Sequence, residues 1–352
     1  MPKKLSDIDL VLDPINTTGH VYFNTLILKS ITTSNTKNIP FICKAAQKQQ
    51  IEEIYKHNNF KTTEKQTFLL GSFSIFFKML FKSIFKKKNI LLLTIDNTIF
   101  PILLILFYPF LFRNNFSIIL HNNLQTITKV KSKRVLHKIV NRLYKPNIIV
   151  LTKYMFTAYK DVFSLSKVQL LPHPNYKELI RFNLKPQVLK GEKVKIVVLG
   201  RQAKLLEKLL LTPGFSKWNN IEFVISLPGS NHKNYSDTIT IINKKLSFDE
   251  YYSILSLANF CLFANDSSVI ERASGILIDC VSLECPVLSP IDGHFKEYKD
   301  FNIGFQYKDY KELVSLFNLI SEKKTSRLNF KNGFIKAQQY SNPVNNSIIT
   351  DV

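Results

Sequence analysis

Four places in the 352-residue sequence bring imidazole, carboxylate, hydroxyl or cationic side chains to the turn that follows a short β-branched apolar run. The first is Asp13-Pro14-Ile15-Asn16-Thr17-Thr18-Gly19-His20, where Gly19 ahead of a helical stretch lets backbone amides approach an anion. A single glycine equally suits an ordinary loop. The second, His121-Asn122-Asn123, sets an imidazole directly after a strand, as a reactive or a plain surface group. In the third, Leu199-Gly200-Arg201-Gln202-Ala203-Lys204, two cations meet a helix start, so that peptide dipoles and point charges act together on a phosphate. The fourth runs from Asp266 to Val287 and holds Glu271 in a turn and Asp279 inside the otherwise apolar helical run Gly275 to Leu283. A carboxylate in such a run needs hydrogen-bonding partners, and sugar or ribose hydroxyls are suitable ones.

Such turns need a scaffold, and the sequence reads as strand–helix alternation. Strands are expected at Ile8 to Leu12, Ile39 to Lys44, Asn89 to Ile95, Ser117 to His121, Asn147 to Leu151 and Val168 to Leu171. A polar stretch, Lys177 to Lys193, then interrupts the pattern as a linker. Beyond it, strands are expected at Val194 to Leu199, Ile221 to Ser226, Thr238 to Ile242, Phe260 to Ala264 and Pro286 to Leu288. Helices are expected at Ala203 to Leu211, at Ser274 to Leu283 and at Lys311 to Glu322. Another, Ser247 to Ala258, opens on the capping-box pattern Ser247-Phe248-Asp249-Glu250. The expected fold is α/β: two Rossmann-like domains, 1–176 and 194–324, facing across a cleft and joined by a linker, 177–193, with 325–352 returning to the first domain.

Lys and Arg number 48 against 26 Asp and Glu, for a net charge of +22, which favours polyanionic partners. The charge is concentrated. Between Glu64 and Asp161 stand sixteen cations and one acid, Asp96, so this window carries +15 of the total. Only seven of the 48 cations are Arg, whereas base reading and bidentate phosphate contacts favour Arg, so no specific nucleic-acid partner is expected. A diffuse anionic surface such as a membrane suits Lys.

Within that window, Ser74, Lys78, Lys82 and Lys86 recur every four residues from Ser72 to Lys88, beside a broad apolar face that includes Phe77 and Phe81. That pattern fits a core helix with a solvated edge. It fits equally an interfacial helix whose Lys78, Lys82, Lys86, Phe77 and Phe81 face the membrane. The apolar run Ile99 to Phe112, interrupted by Pro101 and Pro109, is too short to span a bilayer and is expected to be a buried helix. Cys43, Cys261, Cys280 and Cys285 lack metal-ligand or framework spacing, so reduced thiols in a cytoplasmic setting are expected, with no metal. The acidic N-terminal stretch, with Asp7, Asp9 and Asp13, gives no expectation of an export signal.

The second half resembles the nucleotide-binding domain of GT-B glycosyltransferases, particularly the retaining family four type. In that type a Glu, seven residues and a second Glu precede a Gly-x-Pro-Val turn. Glu271 and Asp279 match the two acids, and Cys285-Pro286-Val287 matches the turn. The first half resembles the family more loosely, through Thr18-Gly19-His20, His121 and Leu171-Pro172-His173-Pro174. The chain departs from the pattern in three ways: the second acid is Asp, Glu284 replaces the usual Gly, and the phosphate turn is shortened so that both Lys204 and Lys208 remain candidates.

The resemblance implies a GT-B glycosyltransferase that moves a hexosyl group, with retention, from a nucleotide sugar to a glycan or lipid-linked acceptor in surface polysaccharide synthesis. It implies donor contacts from Gly19, Arg201, Lys204, Glu271, Ser274, Gly275 and Asp279, with His121 and Glu271 catalytic. No cofactor or metal is implied, because cations neutralise the leaving diphosphate. Together with the charge window this leads to the expectation of a cytoplasmic protein lying peripherally on the inner, anionic face of the membrane. Two other readings compete: a sugar-nucleotide epimerase of the same fold, and a non-catalytic Lys-rich binding protein.

Overall fold

The computed structural model describes residues 7–14, 21–33, 39–54, 71–121, 123–164, 167–179, 193–199, 218–229, 237–264, 273–323 and 327–342. They fall into two compact units, one reaching to Pro174 and the other running from Asn175 to Tyr340; Ala273, Ser341 and Asn342 group with the first. Each unit is built on its own parallel sheet.

The sheet of the first unit contains β1 (Leu10–Leu12), β2 (Phe41–Ile42), β3 (Asn89–Leu92), β4 (Asn115–Leu120), β5 (Asn147–Val150) and β6 (Lys167–Leu170), in the order β2-β1-β3-β4-β5-β6. The second unit holds β7 (Val194–Val198), β8 (Ile221–Ser226), β9 (Ile239–Ile242), β10 (Phe260–Leu262), β11 (Val287–Pro290) and β12 (Gly304–Tyr307), in the order β12-β11-β10-β7-β8-β9. All of these pairings are parallel. Runs such as Leu10-Val11-Leu12 and Ile118-Ile119-Leu120 are buried along their whole length rather than alternately, which is why helices must cover both faces. The expected α/β fold class is therefore observed.

Every strand but β12 overlaps an apolar run read from the sequence, with β4 and β11 reaching two residues beyond theirs and β6 one. β12 is Gly-Phe-Gln-Tyr, a weak strand signal, and it pairs Gly304 with Val287. A Cβ on Gly304 would fall 2.0 Å from the Val287 carbonyl oxygen, so no other residue lets the two backbones come this close.

Helix Phe248–Leu257 begins with the expected capping box: Glu250 N donates to Ser247 Oγ (3.3 Å) and Ser247 N to Glu250 Oε2 (2.8 Å). Two other expected helices differ in extent. Helix Gly71–Ser83 stops five residues short of Lys88, leaving Phe85 and Lys86 beyond it. There Asn114 Oδ1 accepts from Lys88 N (2.9 Å), fixing the chain as it turns into β3. The run Ile99 to Phe112 is two helices, Ile99–Leu106 and Tyr108–Leu111, broken at Phe107 because Pro109 has no amide hydrogen for a continuing helix. The run expected to be a buried helix is buried at Phe100, Pro101, Leu103, Leu104 and Leu111, while Ile99, Ile102, Leu106, Phe110 and Phe112 are exposed.

In the second unit, helix Lys331–Tyr340 buries Phe334 and Ala337. Gly333 brings that helix onto the end of the 3-10 helix Gly293–Phe301, where a Cβ would meet Phe301 O at 2.2 Å. Gln338 Nε2 donates to Val281 O (2.9 Å), so this part of the segment expected to return to the first domain is held within the second unit. After helix Gly275–Ser282, Glu284 adopts a left-handed conformation (φ 52°) and accepts from Lys177 Nζ at 2.6 Å. A glycine is the usual occupant of such a position.

Replacing Gly304 by Ala forces β12 away from β11 and is expected to cost at least about 2 kcal/mol. Urea unfolding of Gly304→Ala beside wild type measures it; equal midpoints would contradict the close approach.

Candidate functional site

In a parallel sheet all strand ends of one kind gather on one edge, and ligands bind where neighbouring strands send their connections in opposite directions. In the first unit that point lies between β1 and β3. In the second it lies between β7 and β10, which pair through Phe260↔Ile196 and Cys261↔Val197.

At the first point, the residue after β1 is Asp13, which is fully buried. Asn24 Nδ2 and Gln47 Nε2 donate to its Oδ2 (2.7 and 2.6 Å), and the Thr94 hydroxyl, just past β3, donates to Oδ1. A buried carboxylate with three donors is a stable joint, since unpaired it would cost several kcal/mol. Burial and the nearby Asp13 charge push the Cys43 thiol up to about 12, which keeps it protonated. Two strand ends from the same edge supply His121, after β4, and His173, after β6; both are buried. The Phe23 ring meets both edgewise, at centroid distances of 4.3 and 5.1 Å. His121 is thus a packed member of an aromatic group rather than a surface residue.

At the second point, β7 leads to Leu199 and β10 to Ala264. Arg201, Lys204 and Glu271 lie outside the described residues, as does Gly19 in the first unit. Ser274 and Gly275 are described and open the helix that follows β10: Ser274 Oγ accepts from Leu277 N (3.2 Å) as its N-cap. Among the described residues nothing lies within 4 Å of where a Cβ on Gly275 would stand, so they leave the space beside this helix start open.

Asp279 sits one turn further along the same helix and is buried. Tyr251 Oη donates to its Oδ2 and Tyr252 Oη to its Oδ1, both at 2.8 Å. The chain itself thus supplies the partners that the apolar surroundings demand. Each carboxylate oxygen retains a further lone pair. Burial raises the Asp279 carboxyl to about 6, although both tyrosine hydrogen bonds act to lower it. Burial, followed by the Asp279 charge, raises Tyr251 and Tyr176 well above the usual phenol range. Burial, then the neighbouring Cys261 and Cys285, raises the Cys280 thiol; Cys261, against a lowering hydrogen bond with Cys280, is raised by burial. Among the described residues no group of three or more His, Cys, Asp or Glu is arranged to hold a metal ion.

No protein-family model matches the sequence, and no curated protein is similar to it in sequence. The fold does match solved structures. HepE of Anabaena, solved with UDP and glucose, superposes at a TM-score of 0.67 with 13% identity over 96% of both chains. The trehalose-6-phosphate protein from E. coli, bound with UDP-2-fluoro glucose, gives 0.59 with 11% identity over 96% of both. Arabidopsis thaliana UGT89C1, complexed with quercetin, gives 0.53 with 10% identity over 94% of this chain and 93% of that one. The chain has the GT-B fold.

Each unit thus has its own described candidate residues at its strand ends: the Asp13 joint with the His121 group in the first, and the Ser274-Gly275 helix start with Asp279 in the second. Sequence reading singled out His121, Ser274, Gly275 and Asp279 but missed the roles of Asn24, Gln47, Thr94, His173, Tyr251 and Tyr252. The Tyr251-Tyr252 pair on a well-capped helix was the one local signal for the Asp279 partners.

Because the folded pKa of Asp279 is raised, its contribution to stability is present below about pH 4 and lost as pH rises through about 6. Unfolding free energies of wild type and Asp279→Asn should therefore diverge between pH 4 and 7, wild type losing on the order of 3 kcal/mol more. Parallel curves would show that Asp279 is not held in a desolvated state.

Proposed function

We propose that this protein is a glycosyltransferase that moves a hexosyl group from a nucleotide-sugar donor, bound by the second unit, to a glycan or lipid-linked acceptor in surface polysaccharide synthesis. One observation carries the reading. In the sequence Arg201 and Lys204 come soon after β7, Glu271 and the described Ser274-Gly275 helix start come after β10, and those two strands are direct neighbours at the point where their sheet changes direction. The likeness of the whole chain to a protein solved with UDP and glucose supports it.

Departure of a nucleoside diphosphate builds negative charge on its oxygens. Arg201, Lys204 or Lys208, and the amides at the helix start meet that charge with preorganised donors, so that no metal need be supplied. The open space at Gly275 lets a phosphate approach the amides, and Asp279, locked by Tyr251 and Tyr252, is preset to accept from ribose hydroxyls. Glu271 contacts the transferred sugar. His121, at the end of β4, is the catalytic candidate that the first unit offers. Transfer with retention fits the resemblance to the family four type and a match to trehalose-6-phosphate synthase, itself studied for glycosyltransfer with retention.

A panel of nucleotide sugars should contain one that raises the melting point, by about 2.7 kcal/mol of added stability at one hundred times its dissociation constant. Glu271→Gln is expected to lower turnover at least about tenfold, or 1.4 kcal/mol. Gly275→Ala should leave the melting point intact while raising KM for the donor about tenfold or more. Wild-type turnover in Glu271→Gln, or no stabilisation by any nucleotide sugar, would remove the assignment.

A further inference from the structure

Large apolar side chains on the surface are unevenly shared between the two units. Of the fourteen that are exposed among the described residues, eleven lie between Phe77 and Ile139 in the first unit, and three in the second. Phe81 is 74% exposed, Phe85 92%, Leu106 67%, Phe110 53% and Phe112 52%. Phenylalanines at such exposure in a folded monomer mark a surface that something covers.

Their placement is collective. Helix Gly71–Ser83 turns Ile75, Phe76, Met79 and Leu80 to the core and leaves Phe77 and Phe81, four residues apart, facing outward. The Phe77 ring lies 5.6 Å from that of Phe107, which lies 6.3 Å from that of Phe110, so a line of aromatic rings joins this helix to Tyr108–Leu111. The second helix pair is held firmly from beneath: Tyr144 Oη donates to Leu104 O (2.7 Å), and its ring packs edgewise on Tyr108 at 5.2 Å. Exposed cations occur in the same stretch of chain. Lys86, Lys87, Arg113 and Lys131 are exposed, and the Arg113 guanidinium stands 5.5 Å from the Phe112 ring. The one acid of the region, Asp96, is engaged locally, accepting from Thr98 N (2.9 Å) and Phe100 N (3.1 Å) at the start of helix Ile99–Leu106.

We infer that this face of the first unit docks into a lipid bilayer rich in anionic headgroups, with Phe81, Phe85, Leu106, Phe110 and Phe112 entering the headgroup and acyl boundary while the cations meet the lipid phosphates. Charge selects the occupant. A second copy of the chain would bring the same uncompensated cations against one another, whereas a bilayer with negative headgroups offers both the apolar layer and the opposite charge. No helix among the described residues is long and apolar enough to cross a membrane, so the contact is interfacial. This inference rests on the surface alone and stands or falls independently of the reaction at the sheet edges.

Flotation of the full chain with phosphatidylcholine vesicles, with and without 30 mol % phosphatidylglycerol (about the anionic share that gives a strong surface potential), tests it. Binding is expected to the anionic vesicles only and to weaken with added salt. Lys86→Gln with Lys87→Gln, and separately Phe81→Ser with Phe110→Ser, should each lower the partition coefficient at least about tenfold. All four side chains are solvent-facing, so melting points should stay at the wild-type value. In a separate Phe110→Trp variant, tryptophan emission should shift to the blue on vesicles; the protein's one native tryptophan, Trp218, is buried in the second unit. Three results would overturn the inference: absence of binding to anionic vesicles at low salt, binding unaffected by the phenylalanine changes with no blue shift, or lipid-free self-association that those changes abolish.

Discussion

Parallel pairing is the constraint from which the rest of this molecule follows. A parallel strand cannot hand the chain to its neighbour through a tight turn, so each connection crosses over the sheet, and every strand delivers its carboxyl end to one common edge. In both units the chemistry-bearing residues sit on that edge. Asp13, Thr94, His121 and His173 follow β1, β3, β4 and β6, and the Ser274-Gly275 helix start follows β10. Residues up to 160 positions apart in the first unit are thereby brought to one line by hydrogen-bonded backbone alone.

The two buried carboxylates show two ways of meeting the same cost. Asp13 is held by two amides and a hydroxyl from three separate elements, and serves as a joint between them. Asp279 is held by two phenols from a single helix. Phenols bring large apolar rings with their donors, and burial raises the Asp279 carboxyl to about 6 although the two phenol hydrogen bonds act to lower it.

Local patterning made the fold legible. Runs such as Ile118-Ile119-Leu120 announce strands buried on both faces, and Ser247 with Glu250 announces a helix start within one residue. Where the decisive contact is remote, the sequence is silent. Asp13 meets Thr94 across 81 positions and Asp279 meets Tyr251 across 28, and no periodicity links them. β12 escaped notice because its strand character comes from the partner it lies against, Val287, rather than from its own residues. The helix expected to reach Lys88 ended early for a similar reason, since Asn114, 26 positions further on, fixes the chain there.

Glu284 stands where the pattern that the second half resembles has a glycine. At a left-handed turn a glycine is free of steric strain but leaves the unfolded chain more entropy to lose, while another residue reverses both effects, each on the order of 1 kcal/mol. The two nearly cancel. A contact as modest as that with Lys177 is then enough to decide which residue stands there, and a half-exposed ion pair is within reach of many substitutions. A signature glycine can therefore drift away under almost no selective pressure while the backbone it marked stays in place. Accumulated over many such positions, changes of this kind are compatible with one fold being kept at 13% identity.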